Sequence, residues 1–97
     1  MAVIELALLP VRAGSEGAFE AAVAEARPLI AASPGFLSLD IRRPAETGQP
    51  YLLLAKWRSI DDHRIGFRGS DRYQQWRALL HPFYDPIPAV SYFGDRV

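Results

Sequence analysis

An α+β sandwich, one antiparallel sheet of four strands with two helices on one of its faces, is the fold class this chain predicts. Three observations carry it. Short runs rich in Val, Ile and Leu recur at 2–12, 36–43, 51–58 and 89–93. Segments with apolar residues at helical spacing stand between the first and second runs and between the third and fourth. Turn-forming clusters, Ala13-Gly14, Ser33-Pro34-Gly35 and the polar stretch 44–50, close the segments. At 97 residues the chain has room for one core, so residues 1–97 are read as a single domain.

Composition narrows the class. Eleven Lys and Arg balance eleven Asp and Glu, and the arginines are spread along the chain, so no basic patch points to nucleic acid as a partner. Cysteine is absent, which removes disulfides, thiolate metal sites and a Cys nucleophile and fits a cytoplasmic location. The N-terminus has no basic segment, and Glu5 interrupts its apolar run. Neither a signal peptide nor a membrane span is expected.

Strict alternation in the first run puts Val3, Ala7, Leu9 and Val11 on one face with Glu5, and Ile4, Leu6 and Leu8 on the other. Ser15 is placed to cap a helix, with Glu16 in the first turn where the dipole favours a carboxylate. Phe19, Val23, Ala26 and Ile30 then share one stripe. Pro28, opposite that stripe, removes a bond to the Ala24 carbonyl and is expected to kink or end the helix. In the second run Leu37, Leu39 and Ile41 face one way, and Phe36, Ser38, Asp40 and Arg42 the other. The third run is apolar on both faces, with Tyr51, Leu53, Ala55 and Trp57 opposite Leu52 and Leu54, and a hairpin joins it to the second.

Ser59 is placed to cap a second helix, with Asp62 at the third helical position. Ile60, His63, Arg64 and Phe67 share its face until Gly66 and Gly69 interrupt it. Ser70-Asp71 restarts a helix whose stripe is Tyr73, Trp76, Leu79 and Leu80. The three prolines between 82 and 88 exclude helix and central strand there. Ala89 to Phe93 is a final short strand.

Strand, helix, strand, strand, helix, strand is a pair of split βαβ units. Right-handed crossovers give them a ferredoxin-like sheet with both helices on one face. The first and third strands are nevertheless apolar on both faces. A monomer would leave more apolar surface in water than soluble monomers tolerate, so a homodimer pairing the bare sheets is expected.

The stretch from Trp57 to Pro86 holds both tryptophans and both histidines. Its segments Trp57-Arg-Ser-Ile-Asp-Asp-His63, Gly66-Phe-Arg-Gly-Ser70, Tyr73-Gln-Gln-Trp76-Arg-Ala-Leu-Leu and Phe83-Tyr-Asp-Pro86, with Pro34-Gly35-Phe36 opening the second strand, resemble the antibiotic biosynthesis monooxygenase (ABM) family of dimeric α+β barrel proteins. The resemblance implies a homodimer and a pocket in each subunit between sheet and helices. It also implies oxygenases of phenols and anthrones that work without metal or flavin, alongside haem-degrading enzymes and a quinol oxygenase. The haem-degrading branch uses an Asn on the first strand and an iron-ligating His late in the second helix. This chain has no Asn, and Trp76 or Arg77 stands where that His would fall, which argues against haem degradation. The cofactor-free anthrone oxygenases also use an Asn, so their mechanism does not carry over unchanged.

Each candidate residue has a structural alternative. His63 can serve as the base that takes a phenolic proton near neutral pH, or as a half-buried histidine bonded to Ser59 or a backbone carbonyl. Trp57, Phe67, Tyr73 and Trp76 can stack a planar ligand or simply fill the core. His81 and Tyr84 sit in a proline-stiffened loop able to present an imidazole and a phenol, or to satisfy a backbone group. Glu5 and Asp40, expected on faces buried in the dimer, need partners, and Lys56, Arg42 or Arg58 can supply a structural ion pair. A raised carboxyl pKa serving as base is the other role. Asp61, Asp62 and His63 are consecutive, diverge by about 100° on a helix and do not converge on a metal.

The functional expectation is an oxygenase-like protein, cofactor-independent, acting on a small hydroxylated aromatic or quinol. His63 and Tyr84 are its catalytic candidates, and Trp57, Phe67, Tyr73, Trp76 and His81 would bind the substrate. The alternative is a non-catalytic dimer of the same fold that holds a small hydrophobic molecule.

Overall fold

The computed structural model describes residues 2–97. Strand β1 spans Val3–Leu9, helix α1 Glu16–Ala31, β2 Phe36–Arg42, β3 Tyr51–Trp57, helix α2 Asp71–Leu80 and β4 Val90–Phe93. A π-helical turn, Asp62–Phe67, precedes α2, and a 3-10 turn, His81–Phe83, follows it. The sheet order is β2-β3-β1-β4 with every neighbouring pair antiparallel, the ferredoxin-like arrangement.

The α1 stripe is as its spacing predicts, with Phe19, Val23, Ala26 and Ile30 all buried. Pro28 does not end the helix, which runs on to Ala31. Pro28 and Ala24 both lie on the solvent side, where water can meet the carbonyl that lost its donor. Ser15 holds the N-cap position but makes no side-chain cap, and only its carbonyl bonds to the helix, accepting from Phe19 N–H at 2.8 Å. The 3-10 turn corrects the expectation of no helix between 82 and 88. Pro82 lies in its first turn, where a missing N–H breaks no bond.

Strand β2 departs from strict alternation. A bulge between Phe36 and Ser38 slips the register, so Phe36 pairs with Trp57 and Ser38 with Lys56. Phe36 therefore turns inward, edge-on to Trp57 at 5.5 Å, and Leu37 points out, 54 % exposed. Leu39 and Ile41 keep the inward face, and Asp40 is exposed rather than buried. On β1 and β3 the alternation holds: Glu5, Ala7, Leu9, Tyr51, Leu53, Ala55 and Trp57 are all buried. Their other face carries Ile4, Leu6, Leu52 and Leu54, half-buried, beside the more exposed Leu8 and Phe93. Among the described residues no helix covers that side.

The turn into β2 positions the residues that follow Trp57. Gly35 has φ +83°, and a Cβ there would stand 2.1 Å from Asp62 Oδ2 and 2.8 Å from Asp62 Cβ. Asp62 is itself held by Arg58, and Ser59 Oγ accepts its N–H at 3.1 Å as the capping pattern predicts. Gly35→Ala is expected to lower stability by about 1–3 kcal/mol, read as a lower urea midpoint at unchanged slope. Gly48→Ala is the control, since Gly48 shares the left-handed φ (+86°) but has open space around its would-be Cβ. Equal losses in the two variants would show that the Asp62 contact is immaterial.

Candidate active site

The helix-covered face of the sheet does not close completely against the helices. A cavity of about 190 Å³ remains. Glu5, Ala7 and Leu9 of β1, Leu53 of β3 and Val90 of β4 form its floor. His63, Phe67 and Arg68 enter from the π-turn, Tyr73 and Trp76 from α2, and His81 and Tyr84 from the turn beyond it. Ile30 of α1 and the Ile87-Pro88 segment complete the wall, with the exposed Arg68 and Ile87 marking the mouth.

Six of the seven residues nominated from the sequence line this one space: His63, Phe67, Tyr73, Trp76, His81 and Tyr84. Their rings stack through the site, Phe67 edge-on to Tyr73 (5.4 Å) and to Trp76 (5.8 Å), and His81 5.6 Å from Tyr84. Trp57 is not among the lining residues. It is fully buried behind them, 5.2 Å from the His63 ring and 5.8 Å from Phe67. From there its indole reaches a carboxylate.

That carboxylate is Glu5. Trp57 Nε1 donates to Glu5 Oε1 at 2.9 Å, and the same oxygen lies 3.4 Å from His63 Nε2. The expected ion pair with Lys56, Arg42 or Arg58 does not form. Lys56 lies on the opposite face of the pleat, and Arg58 is engaged with Asp62. His63 does not bond to Ser59, whose oxygen serves the Asp62 N–H. Its Nδ1 is 2.5 Å from the Tyr92 hydroxyl of β4, and the Arg64 guanidinium lies 5.1 Å over the Tyr92 ring. One imidazole nitrogen is thus engaged by a phenol and the other faces a buried carboxylate, which fixes the ring plane.

The electrostatics follow from burial. Desolvation raises the Glu5 pKa above the ordinary carboxylate range, against the opposing pulls of the Trp57 hydrogen bond and the Arg68 charge. His63 is pushed down to about 4 by burial, then by Arg68 and Arg64, so it is neutral at pH 7. His81 is lowered by burial, Arg77 and Arg68, and burial raises Tyr84, aided by Tyr73. Among the described residues no cluster of three or more His, Cys, Asp or Glu is arranged to hold a metal.

Sequence reasoning missed two members of the site, Tyr92 and Arg68, and named a third, Glu5, without its true partners. Glu5 was visible as a carboxylate in an apolar strand, but its partners are brought to it only by the fold. Tyr92 was one residue of a short strand with no distinguishing pattern. Arg68 lies just past the π-turn, where helical spacing is no guide.

Comparison with known proteins places the architecture. The family profile described as antibiotic biosynthesis monooxygenase matches residues 2–79. The uncharacterized protein YczJ of Bacillus subtilis is 43% identical over 91 residues, spanning 94% of this chain and 96% of its own length. A candidate antibiotic biosynthesis monooxygenase from Bordetella bronchiseptica superposes with a TM-score of 0.92 at 33% identity, covering 99% of this chain and 98% of its own. SnoaB, a cofactor-independent oxygenase from Streptomyces nogalater, shares the fold (TM-score 0.84) at 20% identity, over 99% of this chain and 94% of its own. No helix among the described residues is long and apolar enough to cross a membrane. Matched by the family profile from residue 2 to residue 79, and by a solved relative along nearly its whole length, the chain belongs to the antibiotic biosynthesis monooxygenase family.

Proposed function

We propose that the protein is a cofactor-independent monooxygenase-like enzyme for a single-ring phenol or hydroquinone, with Glu5 and His63 acting together as its base. The observation that supports this most is the carboxylate–imidazole pair buried at the floor of an aromatic-lined cavity. With His63 neutral and Glu5 ionised the pair carries one negative charge, and it becomes neutral on taking the hydroxyl proton. Net charge in the site then stays constant as the phenolate forms. On an electron-rich ring such as a hydroquinone the anion, unlike the neutral form, can give an electron to oxygen. One oxygen atom enters the ring and the other leaves as water with the two hydrogens lost on forming the quinone. The protein's share is deprotonation, orientation and exclusion of bulk water.

Size sets the substrate class. A dry cavity of about 150 Å³ holds one benzene ring, and pockets for drug-sized ligands begin near about 300 Å³. At about 190 Å³ the space fits one ring more closely than a porphyrin or a tricyclic anthrone. Phe67 and Trp76 would flank that ring, with Tyr73, His81 and Tyr84 meeting its polar edge. Tyr84, pushed further from ionisation by burial, would donate its proton in a hydrogen bond rather than act as a base.

The proposal includes a homodimer through the uncovered sheet face, supported by the apolar residues it presents. Sedimentation of the purified protein at micromolar concentration is expected to give twice the monomer mass, and a monomer would remove this part.

Oxygen consumption by metal-free protein tests the enzyme reading. Uptake is expected with hydroquinones, whose anions reduce oxygen, and not with hydroxyanthrones. One observation favours a second reading, a non-catalytic binder: the low proton affinity of His63. Saturable binding of a hydroquinone without any oxygen uptake would establish that reading instead.

A further inference from the structure

We propose that the cavity takes a single-ring phenol bearing an anionic substituent, a hydroxybenzoate-class ligand, with Arg68 holding the anion at the mouth and Glu5 and His63 meeting the ring hydroxyl. This rests on the phenol reading of the same cavity and adds the charge of the ligand and its direction of entry.

The position of Arg68 comes from the π-turn. Its backbone N–H donates to the His63 carbonyl, five residues back, at 3.0 Å. In an α-helix a five-residue step is about 500°, leaving the two side chains about 140° apart. A π-turn needs more residues to come round, so the same step ends nearer the starting side. Both His63 and Arg68 accordingly line one cavity, one at the buried floor and one at the exposed mouth.

Arg68 is the one arginine that lines this cavity, and unlike several others it is not already paired. Arg43 is bidentate on Glu20, Arg58 on Asp62, and Arg27 donates to the Leu39 carbonyl. Among the described residues Arg68 makes no ion pair and no side-chain hydrogen bond, yet its charge is felt at Glu5, His63 and His81 on three separate elements. A guanidinium at the rim of an apolar, aromatic slot is matched by a planar carboxylate. Orientation follows from sign. A ligand entering carboxylate-first would bring its charge against the Glu5 carboxylate, whereas hydroxyl-first entry leaves the anion on Arg68.

Titration calorimetry with 4-hydroxybenzoate and its neutral near-isostere 4-hydroxybenzamide tests the assignment. The wild-type protein is expected to bind the carboxylate at least tenfold more tightly than the amide. Arg68→Gln should bring that ratio close to one, and Arg68→Lys should keep part of it. Because Arg68 is exposed, both variants are expected to fold. A ratio near one in the wild type, or an undiminished ratio in Arg68→Gln, would overturn the proposal. Hydroquinone carried alongside separates the failures. If it binds while the carboxylate has no advantage, only the role of Arg68 falls; if none of the three compounds binds, the phenol site falls with it.

Discussion

Trp57→Ala is expected to cost the protein about 3–5 kcal/mol for the lost aromatic volume alone. Removing the indole N–H also strips the buried Glu5 carboxylate of its donor, which adds about 1–3 kcal/mol. Against a total stability of about 5–15 kcal/mol for a domain, the variant should be largely unfolded or close to it at 37 °C. The reason is where Trp57 sits. It is fully buried at the end of β3, contacting Phe36 across the bulge and His63 and Phe67 from the π-turn. Trp57→Phe separates the two contributions, because it keeps a ring in the core and loses the hydrogen bond to Glu5. Urea unfolding of both variants checks the argument. A loss below about 1 kcal/mol for Trp57→Ala would mean that the pocket collapses around the gap, contrary to the packing described.

His63→Ala carries the largest expected effect on activity, a fall in oxygen uptake of at least tenfold, or about 1.4 kcal/mol of transition-state stabilisation. A positioned base can contribute about 10²–10⁴-fold. The pH profile adds a sign. With its pKa depressed to about 4, His63 remains unprotonated well below the ordinary value of 6.5. No loss of uptake is therefore expected from His63 itself as pH falls through 6.5, and the acid limb should instead follow proton uptake by the Glu5–His63 pair, shifted upward from the ordinary carboxylate range by the burial of Glu5. The two groups titrate as a unit, so the acid limb belongs to the pair. Tyr92→Phe keeps the imidazole but frees its Nδ1, and is expected to reduce uptake several-fold while leaving the fold intact. Equal uptake in wild type and His63→Ala would remove the imidazole from the mechanism and leave Glu5 as the base.

Periodicity carried most of the fold. The α1 stripe and the alternation of β1 and β3 are as the residue spacing requires, because these elements are regular along their whole length. Spacing failed where the backbone changes step. The bulge at Leu37 inverts one turn of the alternation, so Phe36 rather than Leu37 reaches the core, and no side-chain pattern in 36–42 marks the slip. The site was legible as a stretch more than as a set of roles. The aromatic and histidine residues of 63–84 surround one cavity, but Trp57 belongs to the layer behind it. Glu5 reaches that cavity from the far end of the chain through the β1–β3 pairing, in which Val3 lies opposite Trp57 and Glu5 opposite Ala55. Such a contact, 52 residues apart along the chain, is a product of topology.

The π-turn also determines where this chain can change length. Between His63 and Arg68 the backbone carries one residue more per turn than an α-helix would, and removing one residue there would let the segment rewind to ordinary pitch. Arg68 would swing away from the mouth even though every side chain of the site was retained. No residue of the 44–50 turn lines the cavity, and insertions or deletions there are expected to leave it unchanged. A relative that keeps both His63 and Arg68 on the cavity is thus expected to keep the residue count between the end of β3 and α2, while the length of its β2–β3 turn is free to vary. In this segment the number of residues is as much a part of the site as their identity.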